Sequence, residues 1–575
     1  MQLTHLSIKN YRGIKSLDLA LDETTVLIGE NNSGKTTILH ALRACLQSLR
    51  NSGRSVVFDE FDFHFESSES DPSTAEPIEI LLTFEEGEEE WTEEIERHLG
   101  GDAGIIMFIE PQDKARVQLK VTSEYSAVTQ EIETSFDFLD AEGNALTGKS
   151  RSKLAALQQV RPLFYLSALR DAGKEFSRTA QFWSPFVKNS QITPEKKQEI
   201  ERQLVEINSA IIDAHGTFKD VQLHLSKVQE LVSVGSQDVV SVDAIPARIF
   251  DMLSRTQVNI ASATGARLPI ARHGEGTQSL TVLMLFDAFL QSDLAKKQGV
   301  HESSPIVALE EPEAHLHPTA IRALWKTISK INGQKVIATH SGDLLSEVDP
   351  FSIRRLYRSG KEVKIGQLPK GLFHPDQMQM FDYWVRRTRG ELFFAKTWIL
   401  VEGATEVILL SGAAKSLDID LEQYGVRLVE FSQNNVSVLI RAAKALGIAW
   451  HVFTDGDPEG VKYFNSAKQE VMSPYGLSRS ITIIPPSDDI EPYLYKNGFS
   501  EIFEAHVSEQ KRSQKLRVEK EHSDYPMQIV KCLSASKTEM AHHIVSEMMK
   551  LGPASVPKIL RFVIYKAAAL GRRKL

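Results

Sequence analysis

The sequence predicts an α/β chain with two sheet-based units in series, and three observations carry that reading. The stretch "GENNSGKT" (29–36) follows an apolar strand and opens an amphipathic helix. Strand–helix alternation resumes from 262 to about 365, after a long charged segment with helical period. From 396 onward, apolar strands end one after another in carboxylates. Strands of period two and helices of period 3.6 justify the reading element by element.

Residues 3–28 read as strands: "LTHLSI", a break at Tyr11–Gly13, the alternation of Leu17, Leu19 and Leu21, then "TTVLIG". Residues 35–49 read as a helix with Ile38, Leu39, Leu42, Leu46 and Leu49 on one face. Between 58 and 160, acidic loops alternate with strands such as "PIEILLTFE" and "ARVQLKVTS", and "EEGEEEWTEEIE" reads as a solvated face. Residues 164–262 change character. Ile200, Leu204, Ile207 and Ile211 repeat at three and four, which predicts a helical insertion that packs on the first unit or serves dimerisation. The basic stretch "WVRRTRGE" (384–391) leads into the second unit.

Composition excludes several classes. The chain has 575 residues, 42% hydrophobic and 25% charged, which fits a globular protein of more than one domain. Its two cysteines, Cys45 and Cys532, supply neither a disulfide framework nor a zinc site, and point to a reducing cytoplasm. The N-terminal residues lack a signal-peptide pattern, and no apolar run reaches the roughly 18 residues of a membrane span. A net charge of −10 disfavours a surface coated in basic residues but leaves room for a local basic groove.

Gly29, Gly34, Lys35 and Thr36 fit G-x-x-x-x-G-K-[ST]. The backbone of Gly29, Asn31, Asn32, Ser33 and Gly34 turns inward around phosphate oxygens, Lys35 reaches the β/γ-phosphates, and Thr36, followed by Thr37, offers a hydroxyl to Mg²⁺. Further on, "PIVALEEPEAHLHP" (305–318) is an apolar strand ending in Glu310 and Glu311, where a phosphate-cradle enzyme places one carboxylate for Mg²⁺ and one for the attacking water. "HGEGTQSL" (273–280) is a glycine turn before a helix, and "KVIATHS" (335–341) a strand leading to His340. Alone, the turn reads equally well as a plain helix cap and His340 as structural; their order sharpens both. That order resembles the ABC-type ATPase heads of chromosome-maintenance and DNA-repair proteins. The resemblance implies that Gly274 and Gly276 belong to a variant signature motif, that Glu310 replaces the commoner Asp, that Glu311 activates water, and that His340 contacts the γ-phosphate. It also implies ATP as cofactor and a homodimer joined through its heads.

The second site begins at "ILVEGATEVILL" (399–410), where a strand delivers Glu402 and the next helix places Glu406 on its first turn. "ALGIAWHVFTDGDPEG" repeats the arrangement with Asp455 and Asp457, and "ITIIPPSDDIEPYL" adds Asp488, Asp489 and Glu491. Strand ends at one edge of a parallel sheet converge, and carboxylates gathered there repel unless divalent cations such as Mg²⁺ or Mn²⁺ screen them. The combination resembles the Toprim fold, with Glu402 as its glutamate and Asp455 and Asp457 as its D-x-D pair.

A head with a helical insertion followed by a Toprim domain resembles, over nearly the whole chain, the OLD (overcoming lysogenization defect) nucleases. The resemblance implies an ABC-type head in 1–163 and 263–380, the helical insertion in 164–262, and a Toprim domain with a helical extension in 390–575. It implies DNA cleavage with two metals, one held by Glu402, Asp455 and Asp457, the other by Glu406, Asp489 and Glu491, with Lys537 of "SASKTEMAHHI" as a catalytic lysine. Relatives act in phage defence, alone or with a partner helicase or reverse transcriptase. The alternative from another class is a regulatory ATPase whose Toprim domain binds nucleic acid without cutting. The cost of clustering six acids argues against it. Residues 500–575 are too short for the DNA-gripping domain of a topoisomerase, and two cysteines cannot supply the usual zinc site of a primase.

Overall fold

The computed structural model describes residues 1–47, 57–66, 71–87, 90–102, 104–109, 114–148, 150–167, 183, 192–218, 220–221, 243–246, 248–253, 258–261, 265–292, 304–431, 435–471, 480–486 and 488–572. They form two compact units: Met1–Trp91, Ile105–Arg151 and Gln334–Leu575 make up the first, Thr92–Gly104 and Ser152–Gly333 the second.

In the first unit, β1 (Gln2–Tyr11) turns Leu6 and Ile8 inward and His5 and Lys9 outward, the alternation of a strand with one solvated face. At the Tyr11–Gly13 break the chain turns back through Asn10 and Arg12, both at positive φ, into β2 (Ile14–Ala20). β3 (Thr24–Gly29) is buried along almost its whole length and runs into α1 (Lys35–Gln47); residues 48 and 49 of the predicted helix lie outside the described residues. β4 (Ile78–Glu85), β5 (Met107–Ile109), β6 (Lys114–Ser126) and β7 (Glu131–Phe138) complete an antiparallel sheet in which β1 lies between β2 and β4, β4 pairs with β6, and β6 pairs with β5 and β7.

The second unit holds β8 (Leu163–Leu166) and α2 (Pro194–Ala214), whose start is set by Thr193 as cap and Pro194 at the first helical position. Within the predicted apolar repeat, Leu204 is buried but Ile207 is half-exposed. Residues 168–182 and 222–242 of the predicted helical insertion lie outside the described residues. β9 (Asn259–Ala261) pairs antiparallel with β10 (Arg267–Pro269). After α3 (Glu275–Gln291), β11 (Ile306–Glu310) runs parallel to β8, and α4 (Pro318–Lys330) follows.

The chain then re-enters the first unit. β12 (Gln334–Ala338) and β13 (Ile353–Ser359) flank β3 in parallel, and β14 (Glu362–Gly366) pairs antiparallel with β13. The buried Gln334 amide joins the two sheets, donating to Leu3 O and Asp22 O and accepting from Leu3 N–H. α5 (Pro375–Arg387) leads to β15 (Thr397–Val401), α6 (Ala404–Ser416), β16 (Val426–Glu430), α7 (Val436–Ala445), β17 (Ala449–Thr454), α8 (Pro458–Gln469) and β18 (Ile481–Ile483). These strands form an all-parallel sheet in the order β16–β15–β17–β18. β15 is buried at all five positions, as a strand covered on both faces requires. α9 (Ile490–Leu494), α10 (Lys537–Leu551) and α11 (Lys558–Arg572) share one core with it, built from Ile399, Leu409, Phe453, Leu494, Ile544 and Val563 among others. α6 and α10 meet at Gly412, where an added Cβ would lie 2.3 Å from Val545. Among the described residues no helix is long and apolar enough to cross a membrane.

Candidate active sites

The phosphate cradle is built where β3 stops. Gly29 lies at φ 147°, and a Cβ there would come within 2.3 Å of Leu356 O on β13, so only glycine fits. Gly34 also has positive φ, and Asn32, at φ 62°, sits in the left-handed region that asparagine tolerates best after glycine. α1 begins at Lys35, so Thr36 and Thr37 occupy its first turn and Asn31 and Asn32 lead into it. Lys35 is buried, with Nζ 2.8 Å from Gly29 O and 2.9 Å from Glu30 O. Ser33 Oγ is buried with no hydrogen-bond partner among the described residues. β12 runs parallel to β3, with Ala338 opposite Leu27, so His340 emerges at the same end of the sheet as Gly29.

The partner motifs belong to the second unit. Glu310 closes β11, and its Oε2 accepts a 2.7 Å hydrogen bond from the Tyr165 hydroxyl on β8. Glu311 follows at φ 43°, a conformation that is uncommon for glutamate and marks a sharp exit from the strand. Gly274 caps α3 in extended conformation, and Gly276 lies in its first turn. A Cβ on Gly276 would approach His315 O to 2.8 Å, and His315 Nδ1 lies 2.9 Å from Glu275 Oε2. The glycine turn therefore packs closely against the loop that follows the acidic strand.

At the C-terminal edge of the parallel sheet the carboxylates converge. Glu402 leaves β15 and its Oε1 accepts the backbone N–H of Asp455, at the end of β17, at 2.8 Å. Gly460 permits this approach: a Cβ there would meet Asp455 O at 2.2 Å and Glu402 Oε1 at 2.9 Å. Glu406, in the first turn of α6, reaches back to Gly403 N–H at 2.8 Å, and Asp457 caps α8 by accepting from Gly460 N–H. Asp489 stands at the N-terminus of α9, and Glu491, almost fully buried in its first turn, faces Lys537, whose Nζ is 3.2 Å from Glu491 Oε1. Ser536 caps α10, so Lys537 is its first residue. Asp488, named in the sequence beside Asp489 and Glu491, is taken up by Lys496 at 2.8 Å from both its oxygens, and its carbonyl accepts from Gly456 N–H. The sequence reading missed Lys496, Gly460 and Tyr165. Only Gly460, three residues beyond the D-x-D pair, left a signal there.

Electrostatics describes a site short of positive charge. Burial, then the Glu406 and Glu402 charges, push Asp455 up to about 9. Burial also raises Glu402 and Glu406 to about 7, and Asp489 shifts upward for the same cause. Burial pulls Lys537 down, but Glu491, Asp489 and Asp455 more than offset this and raise it. Asp455 Oδ1 is buried with no hydrogen-bond partner among the described residues. No three acidic, imidazole or thiol groups among those residues stand at the spacing of a closed metal shell. The donor set nonetheless fits a hard divalent cation: oxygen ligands only, mutually repelling, with Asp455 Oδ1 and Glu491 Oε1 both buried without a hydrogen bond among the described residues.

A family described as "Protein of unknown function (DUF2813)" matches residues 1–391, and one described as "Overcoming lysogenization defect protein-like, TOPRIM domain" matches residues 393–457. The chain belongs to the DUF2813 family and, through its TOPRIM domain, to the OLD family. It is similar to the uncharacterized protein YbjD of Escherichia coli K12, 26% identical over all of this chain and 99% of the relative. The OLD nuclease of Thermus scotoductus is 24% identical over 79% of this chain and 82% of its own length, and the endonuclease GajA of Bacillus cereus 22% identical over 84% and 79%. This OLD-family chain thus carries a phosphate cradle within its DUF2813 region and a Toprim sheet after it.

Proposed function

We propose that this chain is an ATP-responsive, divalent-metal-dependent DNA endonuclease that nicks or cleaves DNA at the Toprim carboxylates. The observation that supports the reading most is the convergence of Glu402, Glu406, Asp455, Asp457, Asp489 and Glu491 at one sheet edge, with Asp455 Oδ1 buried and unpartnered. Glu402, Asp455 and Asp457 would hold one Mg²⁺ or Mn²⁺, and Glu406, Asp489 and Glu491 a second. When bound, such ions neutralise charge on the attacking and leaving oxygens of a phosphodiester.

The chain's own residues do the rest. Gly403 N–H, Asp455 N–H and Gly460 N–H fix the rotamers of Glu406, Glu402 and Asp457, so the ligands are oriented beforehand. Lys537, held beside Glu491, places its ammonium at the same edge, where it stabilises charge gathering on the non-bridging phosphate oxygens. In the head, the glycines, the unpartnered Ser33 hydroxyl and the buried Lys35 fit a nucleotide triphosphate. Glu310, steadied by Tyr165, would serve Mg²⁺, Glu311 the attacking water and His340 the γ-phosphate, with Gly274 and Gly276 completing the site across a homodimer. The domain division 1–163, 164–262, 263–380 and 390–575 belongs to this reading, as do a cytoplasmic site of action, a role in phage defence or DNA processing, and an operon partner of helicase or reverse transcriptase type.

Calorimetric titration with Mn²⁺ tests the site. The wild type is expected to bind divalent ions with an affinity that Asp455→Asn lowers at least tenfold. Equal binding by the two proteins would remove the carboxylate site from the account.

A further inference from the structure

Arg355 sits on β13, next to Leu356, which pairs with the cradle glycine Gly29. Its guanidinium is almost fully buried and bonds to backbone carbonyls of the Toprim part of the same unit. Nε donates to Phe393 O at 2.9 Å and one terminal nitrogen to Ala395 O at 2.8 Å; the other lies 3.2 Å from Leu446 O and 3.3 Å from Gly447 O. Phe393 and Ala395 lead into β15, and Leu446 and Gly447 into β17. One side chain therefore grips the entry ends of the two strands whose exit ends carry Glu402 and Asp455.

The surrounding contacts are equally close. A Cβ on Gly366 would meet Leu446 O at 2.3 Å, and one on Gly447, at φ 66°, would meet the Tyr357 ring at 2.4 Å. Gln367 N–H donates to Ala445 O at 3.0 Å. A second strut runs from the cradle itself: Lys396, one residue before β15, pairs with Glu30 at 2.8 Å. Arg358 donates to Asn32 O and Gly13 O, which fixes the cradle loop to the same strand, β13. Packed backbones of this kind transmit a displacement instead of absorbing it. A phosphate held by Lys35 competes with Gly29 O and Glu30 O for that ammonium, and those two residues touch Leu356 and Lys396 respectively.

We infer that Arg355 is a positioning residue which, with the Lys396–Glu30 pair beside it, ties the entry ends of β15 and β17 to the cradle, so that nucleotide in the head alters the Toprim carboxylate edge. The inference deepens the proposed function and rests on its nucleotide and carboxylate sites. Replacement by lysine keeps the charge and loses the fork that reaches several carbonyls at once.

The test is amide hydrogen exchange of the full chain with and without the non-hydrolysable analogue AMP-PNP and Mg²⁺. In the wild type, nucleotide is expected to change exchange at least threefold in peptides covering 397–403 and 446–457. In Arg355→Lys the cradle peptide 29–37 should still respond, while the Toprim peptides respond less than half as much. Unresponsive Toprim peptides in the wild type, or an undiminished response in Arg355→Lys, would overturn the inference. Should Arg355→Lys fail to fold, replacement of the half-buried Lys396, Lys396→Met, is expected to lower the same response at least twofold, and no change there counts against the link. DNA cleavage measured in parallel keeps the two readings apart. A wild type that binds AMP-PNP and relays the signal but does not cut DNA defeats the nuclease reading alone.

Discussion

Glu402 Oε1 and the backbone N–H of Asp455 lie 2.8 Å apart, a bond that spans 53 positions of sequence and joins the exit ends of β15 and β17. It brings two part-buried carboxylates together and supplies neither with a counter-charge. Protonation and stability at this edge are therefore linked.

The first consequence is a pH dependence of the metal-free protein. Asp455 lies raised to about 9, and Glu402 and Glu406 to about 7, so the folded state holds these protons more tightly than the unfolded chain does. Their contribution is complete below the ordinary carboxylate range and is lost as pH rises through about 7 and then about 9. In EDTA, melting is expected at a higher temperature at pH 5.5 than at pH 8.5. Saturating Mn²⁺ should reduce the difference, because it binds the ionised form. A metal-free melting temperature that rises from pH 5.5 to pH 8.5 would contradict these shifts.

Asp455→Asn separates stability from function. At pH 8 the folded state must take up a proton at Asp455, which lies raised to about 9, and the amide avoids that cost, so in EDTA the variant should be more stable by on the order of 1 kcal/mol, or roughly 2–4 °C. It should also lose most of its divalent-ion affinity. Differential scanning calorimetry checks the first point, and destabilisation in EDTA would show that Asp455 serves the fold.

In the head, Lys35→Ala should abolish ATP turnover while the Toprim sheet stays folded, since the core of that sheet is drawn from residues 399–567. Glu311→Gln should bind ATP and hydrolyse it at least tenfold more slowly, because positioning survives and water activation does not. Steady-state phosphate release beside nucleotide binding separates the two, and wild-type turnover in Lys35→Ala would remove the assignment.

Lys537→Ala tests the lysine beside Glu491. A cation that acts on the transition state should lower single-turnover cleavage on the order of a hundredfold and leave DNA affinity in Ca²⁺ nearly unchanged. A parallel loss of DNA affinity would make Lys537 an ordinary phosphate contact. Unchanged cleavage would return it to the surface.

The strand ends were legible because each carries a local signal: apolar residues in a run, then acids, with a glycine directly after Glu402 and Asp455. Glu402, Asp455 and Glu491 could be read that way, and so could the cradle, whose glycines are demanded by backbone geometry at Gly29 and Gly34. The capping box of Ser536 and Glu539, which starts the helix at Lys537, is a local feature too. What stayed hidden depends on partners far away in sequence. Arg355 reads as one more basic residue in "IRRLYRS", and its four carbonyl acceptors lie 38 to 92 positions on. Lys496 and Tyr165 are likewise defined by what they touch. The predicted apolar face of α2 was only partly covered, since periodicity shows which residues share a face but not what packs against it.

The most direct test is cleavage of supercoiled plasmid in Mn²⁺ by the wild type beside Asp455→Asn, with EDTA as control. The account predicts nicked or linear DNA with the wild type, none in EDTA, and a loss of at least a hundredfold in the variant, which remains folded by circular dichroism. Equal cleavage by the two proteins, or cleavage by the wild type that persists in EDTA, would contradict it.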